Sequence, residues 1–274
     1  MTAHAAEQAP KRPVKLLWTG GWDSTYRLLE LVLLERRAVQ TYYFRLDRHS
    51  APMELEAMEA VRRRLFQACP VLRHLLPETI FIDPAAPRDD SLLEALSALR
   101  ASCGERRLGI QYYDLAAIAR HLALDDLELG IHAEEGSFWY DRLLASIAPH
   151  ESGRWKLGTN PDPPELELFR GFVFPLLTLT KEDMAGRAAA GGFADLLELT
   201  WFCHTPDRKG RPCGFCAPCR LAIRQGLARR VPAVNRLKLR LAWPAIKMLT
   251  RLRVRHRART LLKRLSGRNG DAHA

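Results

Sequence analysis

The hydrophobic pattern of the chain alternates between two kinds of segment. Short runs rich in aliphatic, β-branched and aromatic residues stop at polar or glycine-containing turns, and each run predicts a strand. Longer segments with apolar residues three and four positions apart follow most of these runs and predict helices. The predicted strands are residues 14–19, 39–44, 79–82, 126–131 and 172–177. The first predicted helix begins near Asp23 or Ser24 and runs to about residue 37, and the second begins near Pro52 and ends before Pro70. The others are residues 90–100, 110–124 and about 181–190.

This order of elements predicts an α/β fold. Strands that alternate with helices at such spacing favour a parallel sheet covered on both faces, so a doubly wound parallel five-stranded sheet is the expected architecture. Residues 1–13 are polar, alanine-rich and without periodicity, and we expect them to be disordered. The α/β domain is then expected over residues 14–198, followed by a cysteine-rich segment at 199–228 and a basic extension at 229–274.

The first predicted strand runs into a glycine-containing loop and then a helix. This stretch reads Leu-Leu-Trp-Thr-Gly-Gly-Trp-Asp-Ser-Thr over residues 16–25. The two glycines allow close approach of the backbone, and the N–H groups of such a loop and of the first helical turn form an anion site. Candidate nucleotide-binding residues are therefore Trp18, Thr19, Gly20, Gly21, Trp22, Asp23, Ser24 and Thr25. The alternative is an ordinary helix cap after a glycine turn.

Charge divides the chain into two parts. Its 42 Lys+Arg and 31 Asp+Glu residues give a net charge of +11. Residues 220–274 hold 16 of these cations and one acid, Asp271, so the rest of the chain is mildly acidic. Such a basic segment favours an anionic partner, which is RNA, an anionic membrane surface or an acidic protein, and a solvated tail is the alternative. No signal peptide or membrane-length apolar run is present, so we expect a cytoplasmic protein.

Four of the six cysteines lie close together near the C-terminus. Cys203, Cys213, Cys216 and Cys219 have the spacing C-x9-C-x2-C-x2-C, with Gly214 and Pro218 at positions that favour turns. Thiolates at x2 spacing reach one metal ion, and a closed four-sulfur set is typical of structural zinc. An iron–sulfur cluster is the competing interpretation. Cys69 and Cys103 stand apart and are expected to be ordinary thiols.

The loop and the cysteines together resemble one family. Residues 19–24 are similar to the SGGxDS signature of the PP-loop ATP pyrophosphatases, with threonine in place of the first serine. The combination with the cysteine spacing resembles the 7-cyano-7-deazaguanine synthases of queuosine biosynthesis. Three looser matches extend the resemblance over residues 14–228. Residues 44–49 with Glu54 are similar to the family's FDYGQRH…E segment, and residues 130–135 to its G-x-N-x-x-D segment. Residues 175–181 and 199–203 together are similar to its P-L…K…T-W-S-C run.

The resemblance implies a Rossmann-like PP-loop domain with a helical zinc-binding segment, and an ATP-dependent carbon–nitrogen ligase. Such an enzyme adenylates a carboxylate, releases pyrophosphate and uses ammonia to form an amide, which a second ATP cycle converts to a nitrile. The implied cofactors are ATP, Mg²⁺ and Zn²⁺. Catalytic roles fall on Asp23 as a Mg²⁺ ligand and on Ser24 and Lys181 as phosphate contacts. Substrate contacts fall on Arg48, His49, Glu134 and Glu135, for which exposed loop positions are the alternative.

Two segments depart from the family pattern. Residues 108–112 read Leu-Gly-Ile-Gln-Tyr where the family has an Arg-Asn pair, and residues 138–143 replace a Y-P-D-C-R-P segment. Both regions shape the base pocket in the family, so another acceptor acid is expected as an alternative. An RNA-modifying PP-loop enzyme and a catalytically silent nucleotide-binding module are the other two candidates. The expected partners are a small carboxylate, ammonia and, through the basic extension, a polyanion; a homodimer is a further expectation.

Overall fold

The computed structural model describes residues 12–46, 48–83, 88–102, 108–133 and 138–242. The chain divides into two compact units, Met1–Phe202 and Cys203–Ala274. Most of the predicted N-terminal disordered segment and residues 243–274 of the predicted basic extension lie outside the described residues. Among the helices of the described part, none combines the length and apolarity that crossing a bilayer requires.

The first unit is built on a mixed sheet. Its strands are β1 (Val14–Leu17), β2 (Val39–Phe44), β3 (Ile80–Ile82), β4 (Leu127–Glu128), β5 (Ile147–His150), β6 (Arg154–Leu157) and β7 (Phe172–Phe174). They are ordered β3-β2-β1-β4-β7-β6-β5. The five strands predicted from the sequence correspond to β1, β2, β3, β4 and β7, and these five are mutually parallel. The α/β class and this parallel array are therefore confirmed.

The prediction of five strands was wrong because the described sheet has seven. The two missed strands, β5 and β6, form a hairpin, and β6 pairs antiparallel with β7. Their sequences, Ile-Ala-Pro-His and Arg-Trp-Lys-Leu, contain a proline and two cations and lack an apolar run. An edge hairpin of this kind needs no crossover helix, and so it gave no helix-strand alternation to detect.

The helices cover both faces of the sheet. They are α1 (Trp22–Leu29), α2 (Ala51–Ala68), α3 (Asp90–Ser102), α4 (Gln111–His121), α5 (Phe138–Ala145), α6 (Lys181–Ala190) and α7 (Ala194–Leu197). A π-helical turn, Glu30–Leu34, extends α1, and 3-10 turns occupy Pro70–His74, Glu151–Gly153 and Pro164–Phe169. Buried residues of α1, α2, α6 and α7 share one core cluster, and those of α3, α4 and α5 share the other.

The alternation of side chains along the inner strands produces these two cores. On β1, Leu16 belongs to the core with α1, whereas Leu17 belongs to the core with α4. On β2, Tyr43 belongs to the core with α1, and Tyr42 belongs to the core with α4. Successive side chains of a strand point to opposite faces, so a continuous apolar run is what a sheet covered on both sides requires.

A buried ion-pair network links α1 to the middle of the sheet. Glu128 on β4 is fully buried, and its two carboxylate oxygens accept hydrogen bonds from Arg27 of α1 (2.8 Å) and Arg154 of β6 (3.2 Å). Arg27 also pairs with Glu30 at 2.7 Å and Glu35 at 2.6 Å. The charges are mutually satisfied, which is the condition for burying them.

The second unit contains short helical segments around the cysteines. α8 (Ala217–Arg224) follows Cys216 directly, a 3-10 turn spans Ala228–Arg230, and residues 233–242 are helical. Asn235 is buried and its side-chain amide donates to the Pro212 carbonyl at 2.8 Å and to Asp207 at 3.2 Å. The helix at 233–242 is therefore anchored to the loop between Cys203 and Cys213.

Replacement of Glu128 by alanine is expected to destabilise the protein strongly. It leaves Arg27 and Arg154 without their shared buried partner, a loss of about 3–5 kcal/mol. The matched control is Glu151→Ala, because Glu151 pairs with the same Arg154 at 2.9 Å but its side chain is 72% exposed. That control is expected to cost under about 1 kcal/mol. Urea unfolding measures both, and equal losses would contradict a structural role for the buried pair.

Candidate functional site

The glycine loop lies where the strand order of the sheet reverses. β1 has β2 on one side and β4 on the other, and the chain leaves β1 directly into residues 18–21. In open α/β sheets, ligands bind outside the carboxyl ends of the strands at this switch point. The segment after β4 and the start of α6, which follows β7, reach the same edge.

The loop conformation depends on Gly20. Its φ is +66°, and a Cβ at this position would lie 2.5 Å from the Glu54 carbonyl oxygen of α2. The Gly20 carbonyl in turn accepts a hydrogen bond from the backbone N–H of Trp201 at 2.8 Å. Glycine is therefore required here both by the left-handed backbone and by the close approach of α2.

The loop leads into α1 with a row of available donors. Within the described residues, the backbone N–H groups of residues 20–24 have no hydrogen-bond acceptor, and the first helical bond is Thr25 N–H to the Gly21 carbonyl at 3.0 Å. Gly130, after β4, approaches this turn so closely that a Cβ there would lie 3.3 Å from the Ser24 nitrogen. Such a row of N–H groups at a helix N-terminus suits an anion.

Asp23, in the first turn of α1, lies close to side chains from α6 and from the segment after β4. One carboxylate oxygen of Asp23 is paired with the Lys181 ammonium of α6, and the other lies 3.7 Å from His132 Nδ1. The Lys181 ammonium also lies 4.7 Å from the centre of the Trp22 ring. Burial lowers the pKa of His132, Lys181 lowers it further and Asp23 opposes the shift, so the imidazole is neutral at pH 7.

Lys181 is placed by the start of its helix. Thr180 caps α6: its hydroxyl accepts from the Asp183 N–H at 3.1 Å, while its own N–H donates to the Asp183 carboxylate at 2.9 Å. This reciprocal capping box fixes the first turn and so the origin of the Lys181 side chain. The start of α6 at Lys181 confirms the helix predicted over 181–190.

Three other loop residues point into the protein. The Trp18 indole donates to the Thr25 hydroxyl at 2.9 Å, and both side chains are fully buried. Ser24 Oγ accepts from the Thr19 N–H and donates to the Gly21 carbonyl, both at 3.4 Å. These contacts shape the base of the loop. The N–H groups of Trp18 and Thr25 are also bonded, to the Tyr42 and Gly21 carbonyls, so both residues support the loop from within.

The predicted substrate contacts are only partly brought to this edge. Arg48 follows β2 and lies 3.7 Å from Glu54, and its Nε is buried without a hydrogen-bond partner among the described residues. Burial raises the pKa of Asp114 on α4, and the charge of Arg48 opposes that shift. His49 is exposed on the turn before α2, and Glu134 and Glu135 lie outside the described residues.

His132 is the contributor that sequence reasoning missed as a site residue. It belongs to the 130–135 segment after β4, where only the two glutamates were selected. The available signal was its position, because residues that follow neighbouring parallel strands meet at one edge of a sheet.

The four clustered cysteines converge as the spacing predicts. Their sulfur atoms all lie within 4.8 Å of one another, with Cys203 to Cys216 at 3.8 Å and Cys213 to Cys219 at 3.9 Å. Four sulfurs bound to one zinc ion at about 2.3 Å are about 3.8 Å apart. Backbone N–H groups of Phe215 and Cys216 donate to Cys213 Sγ, both at 3.3 Å. The set therefore fits a single metal ion such as zinc.

The fold and the loop define an α/β protein whose first helix presents unpaired N–H donors at the switch point of its sheet. No family model matches the chain. Over 118 residues it is 30% identical to the 7-cyano-7-deazaguanine synthase of Campylobacter curvus, and over 118 residues 33% identical to that of Campylobacter hominis. These matches cover 43% of this chain and 48% and 49% of the relatives. The chain is thus similar to 7-cyano-7-deazaguanine synthases, and it spans about half the length of the curated relatives it matches.

Substitution of Gly20 by alanine is expected to impair nucleotide binding. The matched control is Gly192→Ala, since Gly192 has a similar φ of +72° but open space where its Cβ would lie. In both variants, backbone strain lowers the free energy of unfolding by about 1–2 kcal/mol. Only in Gly20→Ala does a steric clash lower it further, by about 1–3 kcal/mol. Calorimetric titration with ATP and urea unfolding distinguish the two; equal ATP affinity in both variants would contradict the role of the loop.

Replacement of Cys213 by serine is expected to release the metal ion. Elemental analysis of the purified chain is expected to find one zinc ion per chain, and the serine variant to lose it because a thiolate ligand is removed. Cys69→Ser is the control, since Cys69 follows α2 in the first unit. Retention of metal by Cys213→Ser, or its loss from Cys69→Ser, would contradict the assignment.

Proposed function

We propose that this chain is an ATP-dependent ligase of the 7-cyano-7-deazaguanine synthase kind. The observation that carries the proposal is the arrangement at the switch point: unpaired N–H groups of residues 20–24, with Asp23, Lys181 and His132 beside them. The names of the two similar proteins support the same activity. The donors suit the phosphates of ATP, and the carboxylate suits a magnesium ion that accompanies them.

The loop would hold the departing pyrophosphate. The N–H groups of residues 20–24 would donate to the phosphate oxygens, and Lys181, which pairs with Asp23 in the free chain, would supply a cation to a phosphate. The Asp23 carboxylate would then hold the Mg²⁺ ion, directly or through a water molecule. When bound, Mg²⁺ neutralises phosphate charge. Neutral His132 lies 3.7 Å from the second Asp23 oxygen and adds no competing cation.

The proposed chemistry has two ATP-consuming cycles. In the first, a carboxylate oxygen of the substrate attacks the α-phosphorus, the bond to the bridging oxygen breaks, and pyrophosphate leaves with its electron pair. Ammonia then attacks the acyl-adenylate carbon, loses a proton and displaces AMP to give an amide. In the second, the amide oxygen is adenylated in the same way with loss of one N–H proton, and loss of AMP and the second N–H proton gives a nitrile.

The acceptor acid is the least constrained part of the proposal. The two segments that depart from the family pattern contact each other: the Tyr112 ring lies 5.6 Å from Trp139, and both contact Phe169. The replacements thus form one aromatic cluster rather than two unrelated changes. This favours an acceptor other than 7-carboxy-7-deazaguanine as the second candidate, with the same ATP chemistry.

Sulfur transfer to RNA is less well supported. That route needs a nucleophilic thiol near the phosphate loop. Glu54 of α2 lies beside Gly20, and Cys69 follows 15 residues further along, so helical rise places it about 22 Å away. Cys103 lies outside the described residues.

We propose zinc as the ion of the cysteine set in the second unit. The closed set of four thiolates leaves no open position, so the ion would stabilise the unit and take no part in the reaction.

The test of the activity is a product analysis. Purified chain is incubated with ATP, Mg²⁺, ammonium and 7-carboxy-7-deazaguanine, and mass spectrometry follows AMP and the nitrile. Nitrile with AMP is the expected result. AMP that forms only when a small-molecule cell extract supplies the acid would support the second candidate, and absence of AMP in both cases would contradict the ligase proposal.

Replacement of Lys181 by methionine is expected to lower AMP formation by about 100-fold or more, because it removes the cation that meets the phosphates. Lys156→Met is the matched control: Lys156 pairs with Asp126, at the opposite end of β4 from the site. It is expected to retain activity. Similar losses in the two variants would show that the effect is structural.

A further inference from the structure

The helix at residues 233–242 presents an apolar stripe to solvent. Val234, Leu237 and Leu241 are 47%, 55% and 74% exposed. At about 100° per residue, these three positions fall within an arc of about 60° on one side of the helix. Three exposed aliphatic side chains grouped on one face differ from the scattered single residues that are normal on surfaces.

The orientation of this stripe is fixed by the other side of the helix. Asn235 is buried and bonded to Pro212 and Asp207, and its carbonyl lies 2.9 Å from where a Gly214 Cβ would be. The stripe lies about 100–160° around the helix from Asn235. The apolar residues are therefore held outward by the same contacts that anchor the helix.

Cations border the stripe on both sides. Lys238 and Arg240 are exposed. Around the helix axis, Lys238 lies about 40° beyond Val234 on one side of the stripe, and Arg240 lies about 60° beyond Leu237 on the other side. The surrounding segment is also basic: residues 203–242 contain ten Lys and Arg residues and one acid, Asp207. An aliphatic stripe flanked by cations is the pattern of a helix that lies in a membrane interface.

From this arrangement we infer that the second unit docks on an anionic lipid surface through Val234, Leu237 and Leu241, with Lys238 and Arg240 at the headgroups. RNA fits less well, because residues 233–242 include no aromatic side chain on which a base could stack, and an aliphatic stripe gains nothing from a phosphate backbone. A second copy of this helix fits less well because its flanking cations would repel their equivalents. The acyl region and the charged headgroups of a bilayer accommodate both features.

The test uses the full chain and sedimentation with vesicles. We expect it to bind vesicles that contain phosphatidylglycerol and to bind pure phosphatidylcholine weakly. Leu237→Glu with Leu241→Glu is expected to reduce binding by about tenfold or more, because the buried apolar area is lost. Lys238→Glu with Arg240→Glu is expected to reduce binding and its dependence on salt.

The control places one glutamate on another exposed apolar position. Val71 is 64% exposed in the first unit, so Val71→Glu changes net charge without touching the stripe, and it is expected to leave binding intact. Circular dichroism and zinc content check that each variant is folded.

Four outcomes would overturn the inference. The first is that the chain does not bind anionic vesicles, and the second is that the leucine variant binds them as well as the unchanged chain does. The third is that the chain binds RNA more tightly than vesicles and the leucine variant keeps that affinity. The fourth is that the chain forms a dimer that the leucine substitutions dissociate. A fifth outcome does the same: if the leucine variant unfolds the second unit, the stripe contributes to the stability of that unit rather than to docking.

Discussion

The buried carboxylate of Glu128 connects the two elements on which the candidate site depends. It pairs with Arg27, four residues after Asp23 on α1, and it lies on β4, four residues before His132. The pairing therefore sets the position of the first helix against the central strand. A shift between them would separate Asp23 from His132 and would press Gly130 against the turn that presents the N–H groups. Because an unpaired charge in this position is costly, the network holds the arrangement in one register.

Around that constraint, the site uses few strong interactions. The loop geometry is imposed by Gly20 and by the close approach of Glu54, so the N–H donors are held in place before any ligand arrives. Asp23 and Lys181 neutralise each other, and under the proposed function Lys181 would turn to a phosphate and Asp23 to a cation. Preorganised donors of this kind do not have to reorient during the reaction, which is the basis of electrostatic catalysis.

Much of the fold and part of the site could be predicted from the sequence. The parallel strands are continuous apolar runs, and the loop of residues 18–25 carries its own glycine signal, so both were detectable. The four cysteines were detectable because ligand spacing is local. By contrast, Glu128 is an acid in a two-residue strand, and only its distant partners Arg27 and Arg154 make its burial possible. The contact of His132 with Asp23 and the edge hairpin β5–β6 also depend on tertiary pairing that local patterns do not encode.

The most direct test of the account is whether the loop holds pyrophosphate, because this needs no knowledge of the acceptor acid. Calorimetric titration of the chain with magnesium pyrophosphate, alone and in the presence of ATP, measures it. The account predicts that pyrophosphate binds at one site and competes with ATP, and that inorganic phosphate competes poorly. If ATP binds and pyrophosphate neither binds nor competes, the N–H groups of residues 20–24 do not hold the phosphates that leave, and the central claim is wrong.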